Sequence, residues 1–216
     1  MDVPVFDADA EVHALYSKGG AAVEPVGARF PGVVVDGAIC RAELSKRVVG
    51  DAAAISSLEA LVHPLLQSRR DAFLAAARAA AAPLAALDVP LLYEKGLHTL
   101  CDAVLVVSAP ADVQRARVLS RPAMAALPPD AAAARFEAIL SRQMPDEEKR
   151  AQPGAVVIDT GGSLEQTRAA VAAFVGARRE ESMRRRQRKA ALRAAVAVGA
   201  AGLLLGWAYA RARRGS

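Results

Sequence analysis

The chain has 216 residues, 53% of them hydrophobic, with 28 Lys/Arg against 23 Asp/Glu for a net charge of +5. That length accommodates one globular domain plus an appendage rather than a multidomain assembly, and the apolar share excludes a disordered chain. The charge is divided: residues 178–216 carry 11 Lys/Arg and 2 Asp/Glu, a net of +9, which leaves residues 1–177 at −4. The basic balance therefore belongs to the tail. Cys40 and Cys101 are too few for a disulfide framework, and the N-terminus has neither a basic n-region nor an apolar h-region. Reduced thiols in a cytosol-facing domain are the expectation.

In chain order, Val3–Asp7 reads as a short strand and Ala10–Lys18 as a helix broken by Gly19-Gly20. Val33–Val35 is too short to assign. Asp51–Ala82 is a long helical region with a boundary or kink expected at Pro64. Leu84–Val89 is an apolar run, and Ala103–Val107 is the clearest buried strand. Helices follow over Ala111–Arg121 and Arg135–Gln143, then a strand over Ala155–Ile158. Ser163 caps a helix from Leu164 to about Arg179. Apolar strands alternating with helices predict a three-layer α/β domain with a parallel sheet.

Four groups of residues can carry chemistry. Phe6-Asp7-Ala8-Asp9 ends a strand, where ligands of open α/β sheets bind; a plain strand end with a helix cap is the other reading. His63, before Pro64, is either a structural histidine or a ligand contact. Asp88-Val89-Pro90-Leu91-Leu92-Tyr93-Glu94 follows a second strand and reads as a turn or as part of the same ligand edge. Arg115, Arg117, Arg121, Arg135 and Arg142 form either a solvated face or a phosphate-binding series.

Together these strings resemble the dephospho-CoA kinase family. The resemblance runs from Val3 to about Ala177 on FDAD (Phe6–Asp9), LVHPLL (Leu61–Leu66), DVPLLYE (Asp88–Glu94), DAVLVVSAP (Asp102–Pro110), QRARVLSR (Gln114–Arg121), RFEAILSRQMPDEEKR (Arg135–Arg150) and VVIDTGGS (Val156–Ser163). It implies a P-loop-kinase core and ATP-dependent phosphorylation of the ribose 3′-hydroxyl of dephospho-CoA, the last step of coenzyme A synthesis, with ATP and Mg²⁺. It further implies Asp9 as the catalytic carboxylate and Arg117 as an arginine on the transferring phosphate. Asp7, His63, Leu91, Leu92 and Glu94 are implied on the acceptor side. A lid runs over residues 121–142 from Arg121 to Arg142, and Thr160 and Gly161 lie near adenine. No metal-ligating residues are assigned.

The sequence departs from that family in one respect. No G-x-x-x-x-G-K-[ST] occurs in the 216 residues. Its backbone N–H groups, Lys and Ser/Thr cradle phosphates and Mg²⁺. The expectation is a sheet without its first, central strand, and little or no kinase activity from this chain. The alternative is a non-catalytic pseudokinase or scaffold that binds CoA-like ligands.

After a basic linker at 178–193, residues 194–210 contain no charge, and a basic tip follows at 211–216. At 1.5 Å per residue this run spans about 25 Å, the short end of the range for a membrane helix. Trp207 and Tyr209 sit where interfacial aromatics belong, and Gly202 and Gly206 are spaced for helix pairing. The expectation is a membrane anchor at the mitochondrial outer membrane or endoplasmic reticulum with the body facing the cytosol. Nucleic-acid binding is not expected, since no aromatics interleave the arginines.

Overall fold

The computed structural model describes residues 3–213, with side chains described for residues 3–189. The chain forms two compact units, Met1–Gly161 and Gly162–Ser216.

The first unit opens with β1 (Val5–Asp7), which runs directly into α1 (Ala8–Tyr16). The Asp7 side chain accepts the Ala10 N–H at 2.9 Å and caps the helix, satisfying one of its orphan donors. Next come α2 (Val23–Arg29), the hairpin of β2 (Val34–Val35) and β3 (Ala38–Ile39), and α3 (Arg41–Val48). The hairpin turns on Asp36-Gly37, both at positive φ, the backbone that a two-residue turn between twisted strands requires.

The largest element is α4 (Ala52–Ala79), capped by Asp51, whose carboxylate accepts the Ala54 N–H at 3.0 Å. Of the boundary or kink expected at Pro64, the boundary does not occur, and the helix runs through it. A helix-interior proline costs about 3 kcal/mol. That cost is offset because Val62 is buried in the core and Leu61, Leu65 and Leu66 pack against it, so burial holds both sides of the proline in register. This core consists of Leu15, Ala22, Val26, Phe30, Val33, Ile39, Leu44, Ala54 and Val62. It joins α1 to α4. The helix stops at Ala81 (φ 50°), with the Ala82 N–H bonded back to the Ala77 carbonyl.

The remaining strands are β4 (Ala86–Asp88), β5 (Val104–Ser108) and β6 (Ala155–Asp159). β1 pairs with β4 and β5 with β6, both in parallel. The parallel strands therefore form two separate pairs rather than one continuous ladder. Helix α5 (Ala111–Leu119) follows β5. The segment 121–142, where a lid is expected, contains α6 (Pro122–Ala125) and α7 (Pro129–Leu140), and α8 (Asp146–Arg150) leads to β6.

The second unit is α9 (Leu164–Arg213), which continues well past the expected end near Arg179. The expected membrane anchor is not supported. Among the described residues no helix is long and apolar enough to cross a membrane. The described part of α9 is too heavily charged, with ion pairs between Arg178 and Glu181, Arg184 and Glu180, and Arg185 and Glu181. The run at 194–210, with Gly202 and Gly206, lies outside the residues whose side chains are described.

Candidate active site

Both parallel pairs place their carboxyl ends on polar residues. Asp7 and Asp88 are register partners at the end of β1 and β4, and Ser108 and Asp159 at the end of β5 and β6. In open parallel sheets that edge receives ligands.

Asp7 is engaged as the cap of α1. Asp9, two residues on, is exposed in the first turn of the same helix. Its position depends on how α1 is held. Leu15 is 1% exposed in the core, and Glu11 accepts from Arg69 of α4 at 2.7 Å. Asp9 is therefore an accessible carboxyl group on a fixed mount.

His63 is exposed on α4. One turn earlier, Glu59 binds Lys95 at 3.1 Å. Residues four apart share a helix face, so this ion pair brings the loop after β4 onto the face of α4 that carries His63. Leu91 and Leu92 are half-buried in that loop, where the Tyr93 and His98 rings lie 5.1 Å apart. Glu94 points elsewhere: its Oε1 accepts the Met144 N–H at 2.6 Å and lies 3.3 Å from Lys149 Nζ. Burial pushes the Glu94 carboxyl up, but the Met144 N–H, its own backbone N–H and the Lys149 ammonium together hold it below the usual carboxylate range.

The arginines separate into two groups. Arg115 pairs with Glu137 at 3.2 Å and lies over the Phe136 ring at 5.3 Å, so it ties α5 to α7. Arg117, Arg121 and Arg142 are exposed. Arg117 donates to Thr160 Oγ1 at 3.4 Å, and the Thr160 N–H and hydroxyl both donate to the Ser108 carbonyl, at 2.7 and 2.9 Å. The Gly161 N–H donates to Asp159 at 2.7 Å. Arg117, Thr160 and Gly161 are thus brought together at the end of β5 and β6.

A cavity of about 170 Å³ beside β5 is lined by Val107, Gln114, Gln143, Asp146 and Lys149 among others. It places α5, which carries Arg117, opposite the segment after α7, which carries Arg142. A larger cavity of about 330 Å³, lined by Tyr93, His98, Cys101 and Gln152, opens at the amino ends of β5 and β6, away from the carboxylates. Sequence reasoning missed Ser108, whose hydroxyl donates to Asp146 at 2.6 Å, and it missed Asp146 and Lys149 as individual residues. The one local signal was an acidic run behind Pro145, the pattern of a short helix start.

The dephospho-CoA kinase family profile matches residues 1–166. A dephospho-CoA kinase from Mesorhizobium japonicum is 51% identical over 173 residues, covering 80% of this chain and 83% of the relative. One from Cereibacter sphaeroides is 50% identical over 173 residues, covering 80% and 82%. Among solved structures, a dephospho-CoA kinase from Campylobacter jejuni superposes with a TM-score of 0.56 at 20% identity, covering 81% of this chain and 84% of that one. It supports the α/β P-loop-kinase-like fold with its parallel sheet and flanking helices. These relatives are bacterial and have neither a mitochondrial outer membrane nor an endoplasmic reticulum. Together with the absence of a membrane-crossing helix among the described residues, this overturns the expected location.

Proposed function

The chain belongs to the dephospho-CoA kinase family, ATP-dependent phosphotransferases of coenzyme A biosynthesis, and we propose that Asp9 and Arg117 carry its chemistry. Asp9 accepts the proton of the ribose 3′-hydroxyl as that oxygen attacks the γ-phosphorus of ATP. The new O–P bond forms, the bond to the bridging oxygen breaks, and ADP leaves with its electrons. Arg117 stabilises the charge on the transferring phosphoryl group, with Arg121 and Arg142 closing over the nucleotide. Asp7, His63, Leu91, Leu92 and the Glu94 loop line the acceptor side, while Thr160 and Gly161 border the adenine. Mg²⁺, when bound with the nucleotide, would supply charge neutralisation at the phosphates. The described residues hold no group of three side chains that could ligate a metal. That fits an ion held mostly by phosphates and water, which needs only one or two carboxylates such as the exposed Asp9 and Asp88.

The observation that carries this reading is the exposed Asp9 at the carboxyl end of β1, on a helix fixed by Leu15 and the Glu11–Arg69 pair. Asp9→Asn should lower dephospho-CoA-dependent ADP formation by about 10²–10⁴-fold while leaving dephospho-CoA affinity nearly unchanged. An undiminished rate would sink the assignment.

The absence of G-x-x-x-x-G-K-[ST] from residues 1–216 favours a second reading, in which this stretch binds the acceptor but turns over slowly. Calorimetry with dephospho-CoA, beside the ADP assay, separates the two. Binding without turnover favours the second reading, and turnover favours the first.

A further inference from the structure

Glu94 lies six residues beyond Asp88, yet its side chain reaches back across fifty residues of sequence. Its Oε1 accepts the Met144 N–H at 2.6 Å and faces Lys149 at 3.3 Å. Both charged side chains are largely covered, Glu94 at 17% exposure and Lys149 at 18%. Met144 and Pro145 form the junction between the end of the lid, α7 to Arg142, and the short helix α8. The far side of α8 is also fastened, because Asp146 accepts the Ser108 hydroxyl at the end of β5. The Ser108 carbonyl in turn holds Thr160, and Thr160 receives Arg117. A continuous set of polar contacts thus runs from the acceptor loop, through the lid junction, to the phosphate-facing arginine.

Two physical points indicate what Glu94 does there. Its Oε2 is buried with no hydrogen-bond partner among the described residues. A covered ion pair with one oxygen unsatisfied gains little net stability over an apolar pair of the same size. Its bond to a backbone N–H, by contrast, fixes main-chain position, and the main chain it fixes lies two residues from Arg142.

We propose that Glu94 is a positioning residue that latches the acceptor loop to the carboxyl-terminal hinge of the lid, so that dephospho-CoA on one side and nucleotide on the other bind cooperatively. This rests on the kinase reading above. The latch holds the segment after α7 in register with Leu91 and Leu92. Acceptor contacts on the loop therefore bias where Arg142 stands, and by linkage nucleotide contacts on Arg142 bias the loop to the same extent.

The test uses the full chain and three variants. Glu94→Ala removes the latch. Glu94→Gln keeps an acceptor for the Met144 N–H without the charge. Lys149→Met removes only the ion pair. ATP affinity is measured by calorimetry with and without saturating dephospho-CoA, and hydrogen exchange is followed over residues 141–150. In the parent, dephospho-CoA should tighten ATP about fivefold or more. In Glu94→Ala that ratio should fall to about one while ATP alone binds within about twofold of the parent, and exchange over 141–150 should rise. Glu94→Gln should restore most of the protection and part of the ratio. A ratio unchanged in Glu94→Ala overturns the proposal, as does a parent ratio of one when dephospho-CoA is bound. Equal loss of both affinities with the ratio preserved also overturns it, because that is the signature of a merely structural side chain. If the parent binds no dephospho-CoA, the kinase reading fails. The latch itself is then judged by exchange alone, and unchanged protection in Glu94→Ala overturns it.

Discussion

Gly161 offers a direct test of how the proposed nucleotide edge is built. A Cβ added there would stand 2.7 Å from Pro110 Cδ, 3.2 Å from Pro110 Cγ and 3.0 Å from the Asp159 carboxylate. A proline ring cannot swing aside, and Asp159 is held by the Gly161 N–H at 2.7 Å. Gly161→Ala must therefore shift the turn that joins β6 to the helix after it. Overpacking of this kind costs about 1–3 kcal/mol, and weakening the exposed N–H to carboxylate bond adds up to about 1 kcal/mol, so about 2 kcal/mol is expected. For a chain of this size that corresponds to a fall of roughly 4–8 °C in Tm. Thr160 moves with the turn, so the contact from Arg117 loosens and ATP affinity falls. Thermal unfolding followed by circular dichroism, with ATP calorimetry beside it, reads both effects. Gly176→Ala is the matched control: it sits in α9 with nothing within 4 Å of the added carbon, so it should strengthen its helix by about 1 kcal/mol. A Gly161→Ala protein melting within about 1 °C of the parent would refute the packing argument.

Leu15→Ala, at 1% exposure in the core that joins α1 to α4, should cost about 2–5 kcal/mol in urea unfolding and weaken acceptor binding with it, because α1 carries Asp9. The lowered Glu94 carboxyl makes the folded state favour the ionised form. Its stabilisation is therefore complete above the ordinary carboxylate value of 4.5 and is lost as pH falls from there through the lowered folded value. Lys149→Met should flatten that acid limb in urea titrations, and an unchanged limb would contradict the pairing. Burial, and then the Asp102 charge, raise the Cys101 thiol. Cys101 should therefore react with iodoacetamide at neutral pH more slowly than a free cysteine, as peptide mass spectrometry would read, and fast labelling would contradict its burial. Ala81→Gly should stabilise the chain by about 0.5–1 kcal/mol, because α4 ends there at φ 50°, a conformation that penalises a Cβ; a destabilised variant would count against that helix stop.

Much of the architecture was legible from period and punctuation. The apolar runs gave β1, β4, β5 and β6 to within a residue or two, since each is a short continuous apolar stretch with little polar alternation to obscure it. The Asp36-Gly37 turn carried a readable hairpin signal, but the flanking strands are only two residues each, too short to register as a run. Pro64 misled because the local rule gives the cost of proline in a helix and cannot see the burial of Val62 that offsets it. In the tail, an uncharged stretch suggested a bilayer, and composition alone cannot tell such a run from other apolar helices.

The sequence by itself determined the alternation of strands and helices, the acidic residues at the ends of β1 and β4, and an arginine series after β5. Each depends on residues adjacent in the chain or one helical turn apart. Only the tertiary structure decided what those residues do. It committed Asp7 to a helix cap and left Asp9 exposed, and it spent Arg115 on Glu137 and Phe136 while Arg117 went to Thr160. It also turned Glu94 away from its own loop to Met144 and Lys149. Those choices depend on contacts tens of residues apart, where pairing is fixed by which surfaces the folded core brings within hydrogen-bond distance.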